Sequence, residues 1–177
     1  RNEENHMKNF IREKAIDSNK ITREYFDEIL IEMRHIDALK PDTSMTLYEK
    51  TFRTPIMMAA LSHLNGKNGE GDGMIEMAKA AKLTGSVNWV GMGDNDQFAA
   101  IMSTGAPSIR IIKPYEDESI VLSYMEQAEE LGALAVGMDL DHAFNSKGCH
   151  DKVLGFPMRP RSFKDIENYC KRTKLPF

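Results

Sequence analysis

The chain has 177 residues, of which 41% are hydrophobic, a formal net charge of -4 and two cysteines. This length and composition suit one soluble domain with a sizeable core. The charge provides no basic surface for nucleic acid or anionic lipid, and no stretch has the unbroken apolar length of a membrane helix. Two cysteines are too few for a disulfide framework and the polar start is not typical of a secretory signal, so we expect a cytoplasmic protein.

The first 53 residues carry two helical patterns followed by a hairpin. Apolar side chains recur at helical spacing within residues 1–20, and Thr22 can cap a second helix whose apolar stripe runs from Tyr25 to Met33. Apolar and polar residues then predict a small hairpin that turns at Glu49-Lys50. We expect residues 1–53 to cover the domain that follows rather than to form a separate domain.

From Thr54 onward, apolar strands alternate with amphipathic helices. The first strand, within Thr54–His63, is apolar without alternation, which predicts a strand covered on both faces. Glycines end three of the helices, and Asp94 can cap the second of them. Ser162 and Asp165 predict a capping box for a later helix, and Lys174 begins an expected fifth strand. The other predicted strands are residues 87–90, 108–112 and 133–140.

This order predicts the fold class. Repeated strand–helix units with short connections favour a parallel, right-handed α/β sheet. Four such units, followed by the start of a fifth strand, predict a (β/α)8 TIM barrel truncated to its first half, within residues 54–177. Barrels of this kind place their ligand sites at the carboxyl ends of the strands, where residues 66–73 and 144–160 form long loops.

Two segments of the sequence resemble one family. The run Asp42–Tyr48, followed by Thr54–Ala60, resembles the FMN-dependent α-hydroxy-acid dehydrogenases and oxidases, the glycolate and lactate oxidase family. The resemblance covers residues 22–177. It implies FMN as the cofactor and a small 2-hydroxy acid, such as lactate or glycolate, as the substrate. It also implies that the catalytic groups belong to strands five to eight, so we expect no catalytic residue in this part of a barrel and no activity from it alone.

The resemblance further implies which residues contact the flavin. It places the backbone after the first strand against the flavin ring. Three of the other positions depart from the family: Gly91-Met92 replaces a Ser-Ser pair, Ile111–Lys113 replaces Gln-x-Tyr, and Gly137 replaces a Thr. The glycines at 91 and 93 would let backbone approach a flat cofactor, although a tight turn explains them equally well. The implied cofactor residues are Ala60, Leu61, Ser62, Gly91, Ile111, Lys113 and Gly137.

Lys113, His63 and His142 are the candidate substrate residues. Lys113 ends the third strand, where its ammonium group could stabilise an anionic flavin or hold a substrate carboxylate. The alternative is a lysine that extends from the barrel rim into solvent. His63 could lie beside the cofactor or be an ordinary loop histidine, and His142 is expected to face the substrate.

A metal site is the weaker interpretation of the segment after the fourth strand. Asp, His and Cys side chains lie between Asp139 and Asp151, and all three types ligate metals. None of their spacings matches a metal-binding motif, so we expect no metal. Asp139 is instead expected to be a buried carboxylate that organises the loop, while Trp89 and the methionines are expected to fill the core.

Two other functions remain open at this stage. A flavin-dependent isomerase, such as type 2 isopentenyl-diphosphate isomerase, uses a similar barrel, but a phosphate-containing substrate would demand more basic loops than this sequence has. A non-enzymatic half-barrel could instead associate with itself, because open strand edges pair with other strands. We therefore expect a homo-oligomer.

Overall fold

The computed structural model describes residues 17–64 and 71–177, and the chain divides into two compact units between Pro41 and Asp42. In the first unit, helix α1 (Ser18–Asp27) is capped by Asp17, whose carboxylate accepts the Asn19 amide at 3.0 Å. The helix therefore begins before the predicted cap Thr22 and ends before Ile29. The predicted apolar stripe, which runs to Met33, therefore lies partly outside the helix. The helical pattern predicted for residues 1–20 lies almost wholly outside the described residues.

The predicted hairpin is confirmed, with its turn one residue earlier. Strands β1 (Met45–Leu47) and β2 (Lys50–Phe52) pair antiparallel around Tyr48 and Glu49. Both turn residues have positive φ, at 47° and 64°, as the right-handed twist of a two-residue hairpin requires. Phe52 is buried and packs in one cluster with Val87 and Leu134, which directly precede parallel strands. The hairpin therefore closes the N-terminal end of the sheet.

The second unit is built on a four-stranded parallel sheet, as predicted. Its strands are β3 (Met58–Leu61), β4 (Asn88–Val90), β5 (Ser108–Ile112) and β6 (Ala135–Met138), in the spatial order β3-β4-β5-β6. Helices α2 (Gly73–Thr84), α3 (Asn95–Ser103) and α4 (Glu118–Glu130) connect them. Each helix begins at an aspartate cap: Asp72, Asp94 or Asp117. These side chains accept backbone N–H groups that the first turn leaves without partners.

The two faces of the sheet have different roles. On one face, Val90 and Val136 pack against Phe98, Ile101 and other apolar residues of the helices. On the opposite face, which we call the inner face, Ile109 packs towards the hairpin and Ile111 follows it along the same strand. Because side chains alternate along a strand, residues 89, 111, 113, 137 and 139 also belong to the inner face. Trp89 is half-buried there, and its Nε1 donates to Met57 Sδ at 3.1 Å.

The first parallel strand is not covered on both faces, so that prediction is wrong. Ala59, Ala60 and Leu61 of β3 are exposed. The physical reason is position: β3 lies at an edge of the sheet and pairs only with β4 among the strands of the described residues. An unbroken apolar run shows that both faces of a strand can be buried. Whether they are buried depends on the strands and helices that pack beside it.

The last part of the second unit leads to the segment in which a fifth parallel strand is predicted to begin. A 3-10 helix (Asp141–Ala143) and a short antiparallel pair, β7 (Lys152–Val153) and β8 (Phe156–Pro157), follow β6. Helix α5 (Phe163–Arg172) then begins at the predicted Ser162–Asp165 capping box. Beyond it, Pro176 O accepts the Val136 amide at 2.9 Å, which extends the β6 ladder in the predicted direction. Within the described residues, no helix has both the length and the apolar character needed to cross a bilayer.

Candidate functional site

The carboxyl ends of the four parallel strands form a rim, which we define as Leu61, Gly91, Lys113 and Asp139. At its edge, β3 and β4 approach closely: a Cβ built on Gly91 would lie 2.6 Å from Leu61 O and 2.9 Å from Ala60 O. No real side chain tolerates such contacts with backbone, so only glycine fits here. The structure thus brings together the predicted cofactor residues Ala60, Leu61 and Gly91.

A second pair of predicted cofactor residues meets on the inner face below the rim. A Cβ built on Gly137 would lie 3.1 Å from Ile111 Cδ1, tighter than ordinary van der Waals contact. Ile111 therefore fills the space that a larger residue at 137 would need. The absence of a side chain at Gly137 therefore leaves room for the side chain of Ile111 on the inner face.

Lys113 and Asp139 form an ion pair at the centre of the rim. The Lys113 ammonium donates to Asp139 Oδ2, and the two side chains are 13% and 25% exposed. The Asp139 amide donates to Ile112 O at 3.0 Å, so the strand ladder itself holds the two residues side by side. The alternative of a lysine that extends freely into solvent does not describe Lys113.

Two neighbouring carboxylates differ in their affinity for a proton. Burial opposes ionisation of Asp139, but its hydrogen bond with Asp141 and the ammonium group of Lys113 outweigh burial and lower its pKa. The hydrogen bond to Asp139 and the negative charge of Asp139 raise the pKa of Asp141. Asp139 therefore carries the stable negative charge of the pair, and Asp141 takes up a proton first.

His142 joins this cluster from the 3-10 helix. Its Nδ1 lies 3.4 Å from Lys113 Nζ, and its Nε2 lies 3.1 Å from Asp151 Oδ2. Both ring nitrogens thus have polar neighbours. Lys113 and His142, both candidate substrate residues in the sequence, lie together in the structure. The contact of Asp151 with His142 was not predictable, because nothing in the spacing shows that the loop returns to His142.

His63 lies in a different cleft. It is exposed, has a φ of 56°, and lines a cleft of about 250 Å³ together with Gln97 and Leu154. Lys113 and His142 do not line this cleft. The neighbouring Ser62 is partly buried. The structure therefore separates His63 from the lysine cluster, although both follow the carboxyl ends of parallel strands.

A second cation of β5 has a structural setting. Arg110 is 2% exposed and its guanidinium stacks between Phe98 and Tyr124, with ring centroids 4.4 Å and 4.1 Å away. It donates to Tyr124 O and to Gln127 Oε1. Burial lowers the pKa of Arg110 to about 10. In the described part of the chain, no group of three or more His, Cys, Asp or Glu side chains could hold a metal ion.

Comparison with known sequences gives two matches. A family model described as FMN-dependent dehydrogenase matches residues 4–175. Glycolate oxidase 3 of Arabidopsis thaliana is 30% identical over 122 residues, which cover 67% of this chain and 32% of that protein. The chain thus spans about one third of this relative.

Comparison with solved structures shows the fold. Mandelate oxidase with 3,3-difluoro-2-hydroxy-3-phenylpropionic acid superposes with a TM-score of 0.67 at 16% identity, over 87% of this chain and 49% of that one. A mandelate oxidase mutant with the monooxide FMN adduct gives 0.62 at 17% identity, over 84% and 46%. These matches confirm the predicted (β/α)8 barrel architecture, of which this chain spans about half.

Proposed function

Because the chain belongs to the family of FMN-dependent dehydrogenases, we propose that it forms part of a flavoenzyme that oxidises a small 2-hydroxy acid such as lactate or glycolate. The observation that carries this proposal is the rim, where one ammonium group is fixed among carboxylates at the carboxyl ends of four parallel strands. Barrels bind their ligands at this end.

The rim also suits a flat cofactor. Ala60 and Leu61 at the end of β3 are exposed, and the absence of a side chain at Gly91 lets β3 and β4 lie close together at the rim. We propose that this exposed strand end lies against the flavin ring. The residues proposed to hold the cofactor are Ala60, Leu61, Ser62, Gly91, Ile111, Lys113 and Gly137. When bound, FMN supplies the acceptor for the two electrons taken from the substrate.

Lys113 is the proposed link between cofactor and substrate. An ammonium group has three N–H donors, and Asp139 and His142 account for two of them. The third can donate to the carboxylate of a 2-hydroxy acid or to an electron-rich edge of the flavin. His142 supports Lys113 in this role, and His63 is proposed to contact a substituent of the substrate from the separate cleft that it lines.

The test is reduction of the flavin by the substrate. We expect lactate or glycolate, added without oxygen to the flavin-loaded intact enzyme of which this chain forms part, to bleach the visible absorbance of the flavin. Lys113→Met should weaken hydroxy-acid or flavin binding about tenfold or more, because a charge-assisted hydrogen bond is lost. Lys147→Met removes an exposed lysine of the loop and serves as the matched control. Unchanged turnover and an unchanged flavin spectrum in Lys113→Met would contradict the role of Lys113.

Self-association is a second candidate property, supported by one observation. The outer edge of β3 is exposed, and Leu61 on it is 49% exposed. Unpaired backbone groups and apolar side chains on an edge strand favour pairing with another chain. We propose a homo-oligomer on this basis. Light scattering tests it: a mass above that of one chain is expected, and a monodisperse monomer would contradict it.

A further inference from the structure

Asp151, His142 and Lys113 form a row of polar contacts, which joins the loop after β6 to the end of β5. Asp151 Oδ2 lies 3.1 Å from His142 Nε2, and His142 Nδ1 lies 3.4 Å from Lys113 Nζ. A charged lysine can only donate, so His142 Nδ1 must accept. The proton of a neutral imidazole then sits on Nε2 and is donated to Asp151. The contacts define one tautomer and one direction for the chain of hydrogen bonds.

The loop is folded in a way that holds these two residues together. The Asp151 amide donates to Ala143 O at 3.1 Å, which ties it to the 3-10 helix that carries His142. Asp151 O accepts the Met158 amide at 2.8 Å, and its Oδ1 accepts the Lys152 amide at 2.7 Å. Asp151 is therefore fixed by its own backbone and by one carboxylate oxygen. The other oxygen remains for His142.

The lysine side chain needs such support. A lysine has a flexible four-carbon stem, and a single partner leaves its ammonium group free to rotate about that contact. Asp139, on the neighbouring strand, holds Lys113 from one side, and His142 approaches it from the loop. Two acceptors on different elements define where the third N–H lies. The loop thereby fixes the orientation of the ammonium group, which the contact with Asp139 alone does not fix.

We propose that Asp151 and His142 are positioning residues, which hold the Lys113 ammonium in the orientation that binds the carboxylate of a 2-hydroxy acid. The inference rests on the proposed function for the identity of the ligand. It goes beyond that function by assigning the loop after β6 a part in substrate affinity. Asp151 acts only through His142, and His142 acts through Lys113.

The first test reads the tautomer of His142 by nitrogen NMR and needs neither flavin nor substrate. We expect the Nε2–H tautomer in the unaltered protein and a mixture of tautomers in Asp151→Asn. Glu167→Gln is the matched control, since it also converts an ion-paired carboxylate to an amide, on α5. A tautomer that does not respond to Asp151→Asn, or that responds equally to Glu167→Gln, overturns the relay.

The second test, made in the intact enzyme of which this chain forms part, compares two replacements of His142. Glutamine offers an oxygen to Lys113 and an N–H to Asp151, whereas leucine offers neither. We expect His142→Leu and Asp151→Asn to raise the KM for the hydroxy acid about tenfold with a smaller change in kcat, as loss of one hydrogen bond to a charged group predicts. His142→Gln should lie close to the unaltered enzyme. Equal KM values for the glutamine and leucine variants, both folded, would overturn the proposal.

The two tests separate this inference from the proposed function. If hydroxy acids fail to reduce the flavin while the tautomer responds to Asp151→Asn, the proposed function fails and the hydrogen-bonded relay stands. If hydroxy acids are oxidised but neither tautomer nor KM responds, the relay fails and the function stands.

Discussion

The two ends of the parallel sheet are built from different chemistry. At the N-terminal end, Phe52 of the hairpin packs on Val87 and Leu134, and all three are buried. At the C-terminal end, Lys113 and Asp139 form a partly exposed ion pair. Strand β5 joins the two, with Ile109 in the apolar cluster and Lys113 just past its last residue. One end therefore supplies stability, and the other is free to carry charge.

The largest effect on folding should come from the apolar end. Phe52→Ala should lower the free energy of unfolding by about 3–5 kcal/mol, because it removes a buried ring and leaves a cavity. Chemical denaturation measures this loss. Lys50→Ala, on the same strand but exposed, is the matched control and should change the stability by less than about 0.5 kcal/mol. Equal losses in the two variants would show that the hairpin does not close the core.

Arg110 tests the comparison from another side, because this buried cation is expected to stabilise the fold rather than to bind a ligand. Arg110→Lys should cost about 2–3 kcal/mol, since an ammonium group cannot stack flat between Phe98 and Tyr124 while donating to Tyr124 O. Arg159→Lys, at a half-exposed arginine, is the control and should be nearly neutral. Hydroxy-acid affinity should not change in Arg110→Lys at temperatures where the variant is folded. A change in affinity without loss of stability would contradict a structural role.

At the charged end, Lys113→Met should have the opposite effect from Arg110→Lys: a large effect on binding and a small one on stability. It should lower stability by only about 1–2 kcal/mol, because the pair is partly exposed and Asp139 can regain water. The pKa of Asp139 should rise when the ammonium group is lost, and NMR titration of that carboxylate measures it. An unchanged pKa would mean that Lys113 and Asp139 do not pair in solution.

Glu129 provides the smallest effect on stability, and the size of this effect depends on pH. The amide of Lys174 and, to a lesser extent, the Thr173 hydroxyl donate to Glu129 and lower its pKa. A lowered carboxylate pKa stabilises the fold above the ordinary pKa of glutamate, and this contribution is lost as pH falls through the lowered value. Denaturation of the protein and of Glu129→Gln should therefore differ at neutral pH and converge in acid. A difference that stays constant with pH would contradict this linkage.

Local signals were sufficient to predict most elements of the second unit. Aspartate caps and a following glycine bound α2 and α3, and β5 has the predicted limits, because these signals act over a few residues. The burial of β3 was not predictable, since it depends on a neighbour strand rather than on the strand's own residues. The start of α1 was missed because Asp17 competes with Thr22 as a cap.

The site was predictable only where the sheet determines it. Lys113 and Asp139 follow adjacent parallel strands, so their proximity follows from strand order alone. The contact between His142 and Asp151 depends on how an irregular loop folds back on itself, for which spacing gives no rule. Strand order brings Lys113 and Asp139 close together, but the ion pair itself depends on side-chain packing.

The central claim is that the cofactor lies at the charged end of the sheet. Amide chemical shifts of the flavin-loaded and flavin-free protein, compared residue by residue, test it most directly. We predict that the largest differences fall at Leu61, Gly91 and Lys113, while Phe52 and Leu134 at the hairpin end stay unchanged. Differences concentrated at Phe52 and Leu134, with an unperturbed rim, would contradict it.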